Sequence, residues 1–280
     1  MKVQVWGTRG SLAAPGTDTL RYGGNTSSVL VTGSEGEYVI LDAGTGIRPL
    51  GLTLPPDLKR LDILVTHLHM DHLQGLGFFG PIFRDDIEIH IWGPPSTTMS
   101  LHSRVSRYLS PPLFPVRLRD MPRLPELHDA RHYFRIGSLR VRADRICHPG
   151  ATVGYRVTDP NGSCLAYLPD HEPALGHRHF PGSGEWTSGY ALIRHADLLI
   201  HDAQYTDEEY PEHIGWGHTG VGQLAALATL AEVRQLMPFH HDPGHGDAQL
   251  DAMTADLGER APSVQVVPGQ EGAQLEVATG

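Results

Sequence analysis

The segment His67-Leu68-His69-Met70-Asp71-His72 places four metal-ligand side chains within six positions, directly after the apolar run Leu61 to Thr66. In an extended backbone alternate side chains point the same way, so His67 and His69 can share one ion, while Asp71 and His72, around the turn, face a neighbouring ion. Imidazole and carboxylate donors suit zinc, and manganese or iron is compatible, because these ligands select weakly among divalent metals. Histidine supplies 18 of the 280 residues, an excess that itself points to metal chemistry.

Such a loop needs a rigid frame. The β-rich runs Lys2 to Trp6, Ser28 to Thr32 and Tyr38 to Leu41, separated by Gly-rich turns, predict a meander. Leu61 to Thr66 reads as the strand that enters the ligand loop, and Leu73 to Phe79 as a helix capped by Asp71. Strands are expected again at Leu139 to Ile146, Gly154 to Thr158 and Ser163 to Leu168. A helical signal at Tyr190 to His195 leads into a buried strand at Asp197 to His201, and the Ala/Leu-rich Val221 to Arg234 reads as a helix. The second half repeats the theme of the first, so residues 1–280 read as one domain with two pseudo-equivalent halves. Within it, Pro94 to His132 is rich in Pro, Arg and Leu, and Ser110 to Val116 is too proline-dense for helix or central strand. That stretch reads as a lid or insertion.

Composition narrows the function class. With 40% hydrophobic and 19% charged residues, Gly 32 and Pro 22, the chain is globular and loop-rich rather than disordered or fibrous. No stretch reaches the ~18 apolar residues of a membrane span, and the N-terminus lacks a signal-peptide core, so a soluble cytoplasmic protein with no membrane partner is expected. A net charge of -10 repels long polyanions and favours a small substrate. Cys147 and Cys164 allow at most one disulfide and are expected as reduced thiols.

THLHMDH at a strand end resembles the metal-binding loop of the metallo-β-lactamase superfamily, and further motifs follow in order. The resemblance implies an α+β fold: an αββα sandwich of the metallo-β-lactamase type, two facing mixed sheets with external helices and a dinuclear site at one edge. Leu41-Asp42-Ala43-Gly44 is similar to the first motif, whose aspartate orients the metal loop from behind. Cys147-His148-Pro149-Gly150 is similar to the third, which implies that His148 completes a three-histidine site with His67 and His69. Leu168-Pro169-Asp170-His171 is similar to the fourth, which implies Asp170 as the carboxylate shared by both ions. Met237 to Pro243 is similar to the fifth. Either histidine there can bind, and the spacing to Pro243 matches the ribonuclease Z-like pattern best with His240 as ligand and His241 beside it.

Leu199-Ile200-His201-Asp202-Ala203 and Gly217-His218-Thr219 resemble elements of ribonuclease Z and related phosphodiesterases in which an acid paired with a histidine assists the leaving group. By that match His218 is the proton donor or phosphate contact, Asp202 orients it, and His201 lies in the supporting layer; ribonuclease Z has glutamate where this chain has Asp202. The opening residues 6–11 and 21–27 resemble phosphonate-pathway metallohydrolases of the same branch, where Arg9, Asn25 and Ser27 either touch an anion or build turns. No long Gly-rich basic arm for transfer RNA is evident.

The expected function is a dinuclear metal-dependent hydrolase, foremost a phosphodiesterase for a small anionic phosphate ester, cyclic nucleotide or cyclic phosphate. A hydroxide shared by two divalent ions would be the nucleophile, with Asp71, His218 and Asp202 as the catalytic residues. The alternatives are a lactone, ester or thioester hydrolase on the same metals, and a non-catalytic metal or ligand sensor; a homodimer is compatible with either. His177 and His179 read as exposed loop residues, and His245 and Asp247 as possible braces of the fifth motif.

Overall fold

The computed structural model describes residues 1–279 apart from Leu175 and Arg178, and its strands pair into two seven-stranded mixed sheets. In the first half these are β1 (Lys2–Gly7), β2 (Ser28–Thr32), β3 (Tyr38–Leu41), β4 (Arg60–Leu64), β5 (Glu88–Gly93) and β6 (Glu126–Asp129). The second half contributes β7 (Tyr133–Ile136), β8 (Leu139–Arg145), β9 (Val153–Thr158), β10 (Cys164–Leu168), β11 (Leu198–Asp202), β12 (Gln235–Phe239), β13 (Gln265–Val266) and β14 (Gln274–Glu276). One sheet runs β14-β1-β2-β3-β4-β5-β6, the other β13-β12-β11-β10-β9-β8-β7. Each half is antiparallel in its early strands and parallel in its later ones: β3 to β6 are parallel in one, β10 to β13 in the other.

Alternation along these strands explains the layering. Val3, Val29, Val31, Val39, Leu41 and Leu64 face Val141, Tyr155, Val157, Leu165, Tyr167 and Phe239 in an apolar interior between the sheets. The opposite face of the second sheet packs under α3 (Tyr190–Ile193), α4 (Val221–Leu230) and α5 (Asp247–Arg260). The opposite face of the first packs under α1 (Ile47–Gly51), α2 (Leu101–Tyr108) and the turns after β4. This is the expected αββα sandwich. Among the described residues no helix is long and apolar enough to cross a membrane.

Three local expectations differ from the structure. Residues 73–79 form no α-helix; 3₁₀ turns at Met70–His72 and Leu76–Phe78 stand there instead. Gly75 explains it: its amide donates to the Ala43 carbonyl at 3.0 Å, and an added Cβ would lie 2.0 Å from the Gly44 oxygen, so the backbone is pressed against the turn after β3. The helix from Val221 ends at Leu230, and Glu232, at φ 52°, turns the chain out of the helix. Pro94 to His132 is not wholly irregular: α2 buries Leu101 and Val105, and β6 extends the parallel sheet beside β5.

Parallel strands bring their carboxyl ends to one edge, where an open α/β sheet gathers ligand-binding loops. Asp42 follows β3, His67 follows β4, Asp170 follows β10, Asp202 ends β11 and His240 follows β12.

Candidate metal centre

The structure gathers two groups of ligand atoms, His67, His69 and His148 in one, Asp71, His72, Asp170 and His240 in the other, each with its atoms within 4.8 Å of one another. Asp170 lies between them. Its Oδ2 is 2.9 Å from His72 Nε2, its Oδ1 is 3.1 Å from His240 Nε2, and the same Oδ1 is 3.8 Å from both His67 Nε2 and His148 Nε2.

Hydrogen bonds behind the rings decide which nitrogen faces the cluster. His148 Nδ1–H donates to the Gly217 carbonyl at 2.9 Å, and His240 Nδ1–H to Gln204 Oε1 at 3.0 Å, so each ring presents a lone pair at Nε2. His72 Nδ1–H donates to Asp42 Oδ2 at 2.8 Å. Asp42 also accepts from the Thr66 amide at 2.8 Å and from the Tyr167 hydroxyl at 3.0 Å, so this fully buried carboxylate ties the entry of the ligand loop to the opposite sheet. Asp71 Oδ2 caps no helix; it accepts from the Ser11 amide at 2.8 Å and lies 3.1 Å from His240 Nε2.

This arrangement fits divalent cations. His72 Nε2 and His240 Nε2 approach to 3.3 Å with carboxylate oxygens crowding both, and the buried His67 Nε2 has no hydrogen-bond partner among the described residues. Acceptors converging with too few protons to share are what a metal ion resolves. Burial, reinforced by His72 and His148, holds His67 well below the usual imidazole range, and burial brings His148 down to about 4, so both are neutral and ligand-ready. Burial works to raise Asp170, but His240 and His72 outweigh it and hold the carboxyl well below its usual range. Burial likewise opposes a charge on His72, yet Asp170, Asp71 and Asp42 together lift it well above 6.5. The protein alone thus draws positive charge into this knot. The residues fit a dinuclear centre.

His218 lies against the cluster, its ring centroid 5.0 Å from those of both His148 and His240. Its Nδ1 is 2.7 Å from Asp202 Oδ2, and Asp202 Oδ1 accepts from the Thr219 amide at 2.9 Å and the Gln204 amide at 3.0 Å. The shorter aspartate therefore reaches its histidine. Burial would lower His218, but Asp202 outweighs it and raises the ring to about 9.

Other expectations resolve in space. His241 turns away from the cluster: Nε2–H donates to the Gly269 carbonyl at 3.0 Å, and burial lowers it to about 3. His201 is fully buried behind the centre, where its Nε2 accepts from His171 Nδ1–H at 2.8 Å. Arg9 is buried and donates to the carbonyls of Gly23, Asp242 and His245, while Asn25 pairs with Glu271; both build turns rather than face the cleft. His245 pairs with Glu209, Asp247 accepts from the amides of Arg21 and Tyr22, and His177 and His179 are exposed.

Sequence reasoning missed Gln204, Tyr167 and Glu172. Glu172 is buried and accepts from the amides of Gly215 and Gly217 and from the Tyr210 hydroxyl, fixing the loop that carries Gly217 and His218. Tyr167 was legible as an inward-facing position of β10; Gln204 and Glu172, in loops, carried no periodic signal.

A beta-lactamase superfamily domain model matches residues 37–241. A ribonuclease Z from Gemmatimonas aurantiaca is 24% identical over 289 residues, covering 87% of this chain and 88% of that protein. Among solved structures, the metallo-beta-lactamase fold protein YhfI from Bacillus subtilis aligns with a TM-score of 0.71 at 17% identity, over 98% of this chain and 99% of the other. A diphosphatase of the PhnP family aligns with a TM-score of 0.69 at 18% identity, over 100% and 99% of the two chains. These two structures share the fold.

Proposed function

The chain is a hydrolase of the beta-lactamase superfamily, and from that premise we propose that it is a dinuclear phosphodiesterase acting on a small anionic phosphate ester such as a cyclic nucleotide or cyclic phosphate. The observation that carries this reading is the Asp202–His218 pair, 2.7 Å apart beside the cluster. A phosphodiester expels an alkoxide, which needs a proton as it leaves, whereas the thiolate expelled from a thioester needs none.

In this reading His67, His69 and His148 would hold one ion and His72, Asp71 and His240 the other, with Asp170 available to either. Two divalent ions, zinc foremost, would supply Lewis-acid polarisation of the ester and acidification of water when bound. Asp42 and Gln204 hold the His72 and His240 rings in the ligating orientation. Asp71, fixed by the Ser11 amide, serves as ligand and as an acceptor for the proton of the attacking water. His218 gives its Nε2 proton to the leaving oxygen, while Asp202 keeps Nδ1 protonated and steadies the imidazolium.

The likeness to a ribonuclease Z and a diphosphatase supports a phosphate linkage as the target, and the net charge of -10 supports a small ester over long nucleic acid. Cytoplasmic placement belongs to the same reading. The test is turnover by chelator-free protein of bis(p-nitrophenyl) phosphate and of 2′,3′- and 3′,5′-cyclic nucleotides, beside a homoserine lactone and a precursor transfer RNA. Cyclic-nucleotide turnover that vanishes in His67→Ala is expected. Turnover of the lactone alone, or of the RNA alone, would overturn the reading.

A further inference from the structure

A second group of ligand-type side chains sits at the lateral edge of the first sheet and shares no residue with the centre above. His90 on β5 and Glu126 and His128 on β6 bring their ligand atoms together, helped by the register that pairs His90 with Glu126 and Trp92 with His128. His90 Nδ1 lies 3.0 Å from His128 Nε2. Glu126 Oε2 lies 3.5 Å from the first and 3.7 Å from the second.

Zinc with bonds of about 2.0–2.1 Å in tetrahedral array needs ligand atoms about 3.3 Å apart. The three observed edges bracket that spacing. The rings are also held in place. Trp92 stacks on His128 at 4.2 Å and 24°, and His90 stacks on it at 5.3 Å and 11°. The Trp92 indole is pinned in turn, donating to Asp62 Oδ1 at 2.8 Å and stacking on Phe134 at 4.3 Å. The His90 side chain is 8% exposed and Glu126 63%, so one ligand is rigid and buried and another opens to solvent, leaving a position for water. The nearby Arg60 is engaged by Asp62 through contacts of 2.9 and 3.1 Å, and Glu88 by Arg123. The Glu126 carboxylate thus makes no such pair with Arg60 and faces the two imidazoles.

We infer that His90, Glu126 and His128 form a further divalent-cation site of zinc-binding character, separate from the hydrolytic centre. Its ion would bridge β5 to the edge strand β6, pinning the return of the 94–132 segment to the sheet. A strand at a sheet edge has one ladder only, and a cross-link supplies the missing restraint.

The test uses the full chain, stripped with chelator, reloaded with Zn²⁺, desalted and measured by plasma mass spectrometry. The double variant Glu126→Ala/His128→Ala, which spares the buried His90, should carry one ion fewer per chain than the parent. Its hydrolytic activity should be unchanged, and hydrogen exchange in β6 should lose its Zn²⁺ dependence. Equal metal content in the two chains would overturn the inference, as would zinc lost from the parent's edge site on desalting. The difference in metal count stands or falls independently of the substrate, so failure of the phosphodiesterase reading would leave it intact.

Discussion

Asp202 Oδ2 and His218 Nδ1 lie 2.7 Å apart, with Asp202 fully buried and its other oxygen fixed by two backbone amides. A carboxylate so held is fixed in orientation, and its Oδ2 makes its shortest contact with the His218 imidazole. The pair is therefore built to hold a proton on His218 beside the cluster.

His218→Ala should lower kcat for phosphodiesters by about 10²–10⁴-fold with metal content unchanged. The loss should be smaller for p-nitrophenolate, a stable anion, than for an alkyl leaving group that must be protonated. Steady-state kinetics on both ester types, with metals per chain determined alongside, checks this. An equal loss on the two esters would mean that His218 binds phosphate rather than gives a proton.

Asp202→Asn tests the same pair through pH. His218, raised to about 9 chiefly against the pull of burial by Asp202, acts as an acid only while protonated. Activity should persist below that value and fall as pH rises through it. Without the carboxylate the ring releases its proton earlier, so the alkaline limb of kcat should move to lower pH. A limb that stays in place would show that it reports another group.

Much of this site was legible because its ligands sit at strand ends, where residue type and order survive without knowledge of packing. The HxHxDH loop belongs to that class, whereas the acid–histidine pair was implied by the resemblance to ribonuclease Z, His218 lying in the loop before α4. What was not legible depends on contacts between distant segments. His240 and His241 are adjacent in sequence, and only the backbone decides between them: His240, at φ 56°, turns inward, while His241 reaches the Gly269 carbonyl. Asp42, at φ 59°, is held in the same left-handed region. Non-glycine residues in that region cost of order 1–3 kcal/mol, which surrounding structure must offset. The glycines after His72 resemble those of a tolerant helix, and only the close approach of Gly75 to Gly44 shows why no helix forms.

Asp42→Asn keeps the shape of the side chain but turns one acceptor into a donor amid the Thr66, His72 and Tyr167 donors. At least one buried donor then lacks a partner, at about 1–3 kcal/mol of stability. The His72 ring also loses its orienting charge, and metal affinity should fall about 10–100-fold. Denaturant unfolding of the metal-free chain and competition titration with a zinc chelator measure the two effects separately.

Glu172→Gln should loosen the 215–217 loop, since an amide can accept but not satisfy the two amides and the hydroxyl that the carboxylate now holds. Gly217 carries the carbonyl that orients His148, and His218 follows it. A fall in kcat with the global unfolding transition in place, and faster hydrogen exchange confined to 213–218, is the expected result.

Gly10→Ala isolates one ligand without touching any ligating atom. A Cβ at Gly10 would lie 2.3 Å from His240 Nδ1 and 2.4 Å from Cε1, inside contact distance of the ring that Gln204 orients. The ring must give way, because Gly10 itself is anchored by its amide to the His241 carbonyl at 2.9 Å. Displacing His240 disturbs its contacts with Asp71 and Asp170 at 3.1 Å but leaves His67, His69 and His148 as they are. The variant should therefore hold one ion at parental affinity and the other weakly, and Zn²⁺ titration should turn from two tight steps at this centre into one tight and one weak step. Uniform weakening of both would show that the two halves of the cluster are not separable.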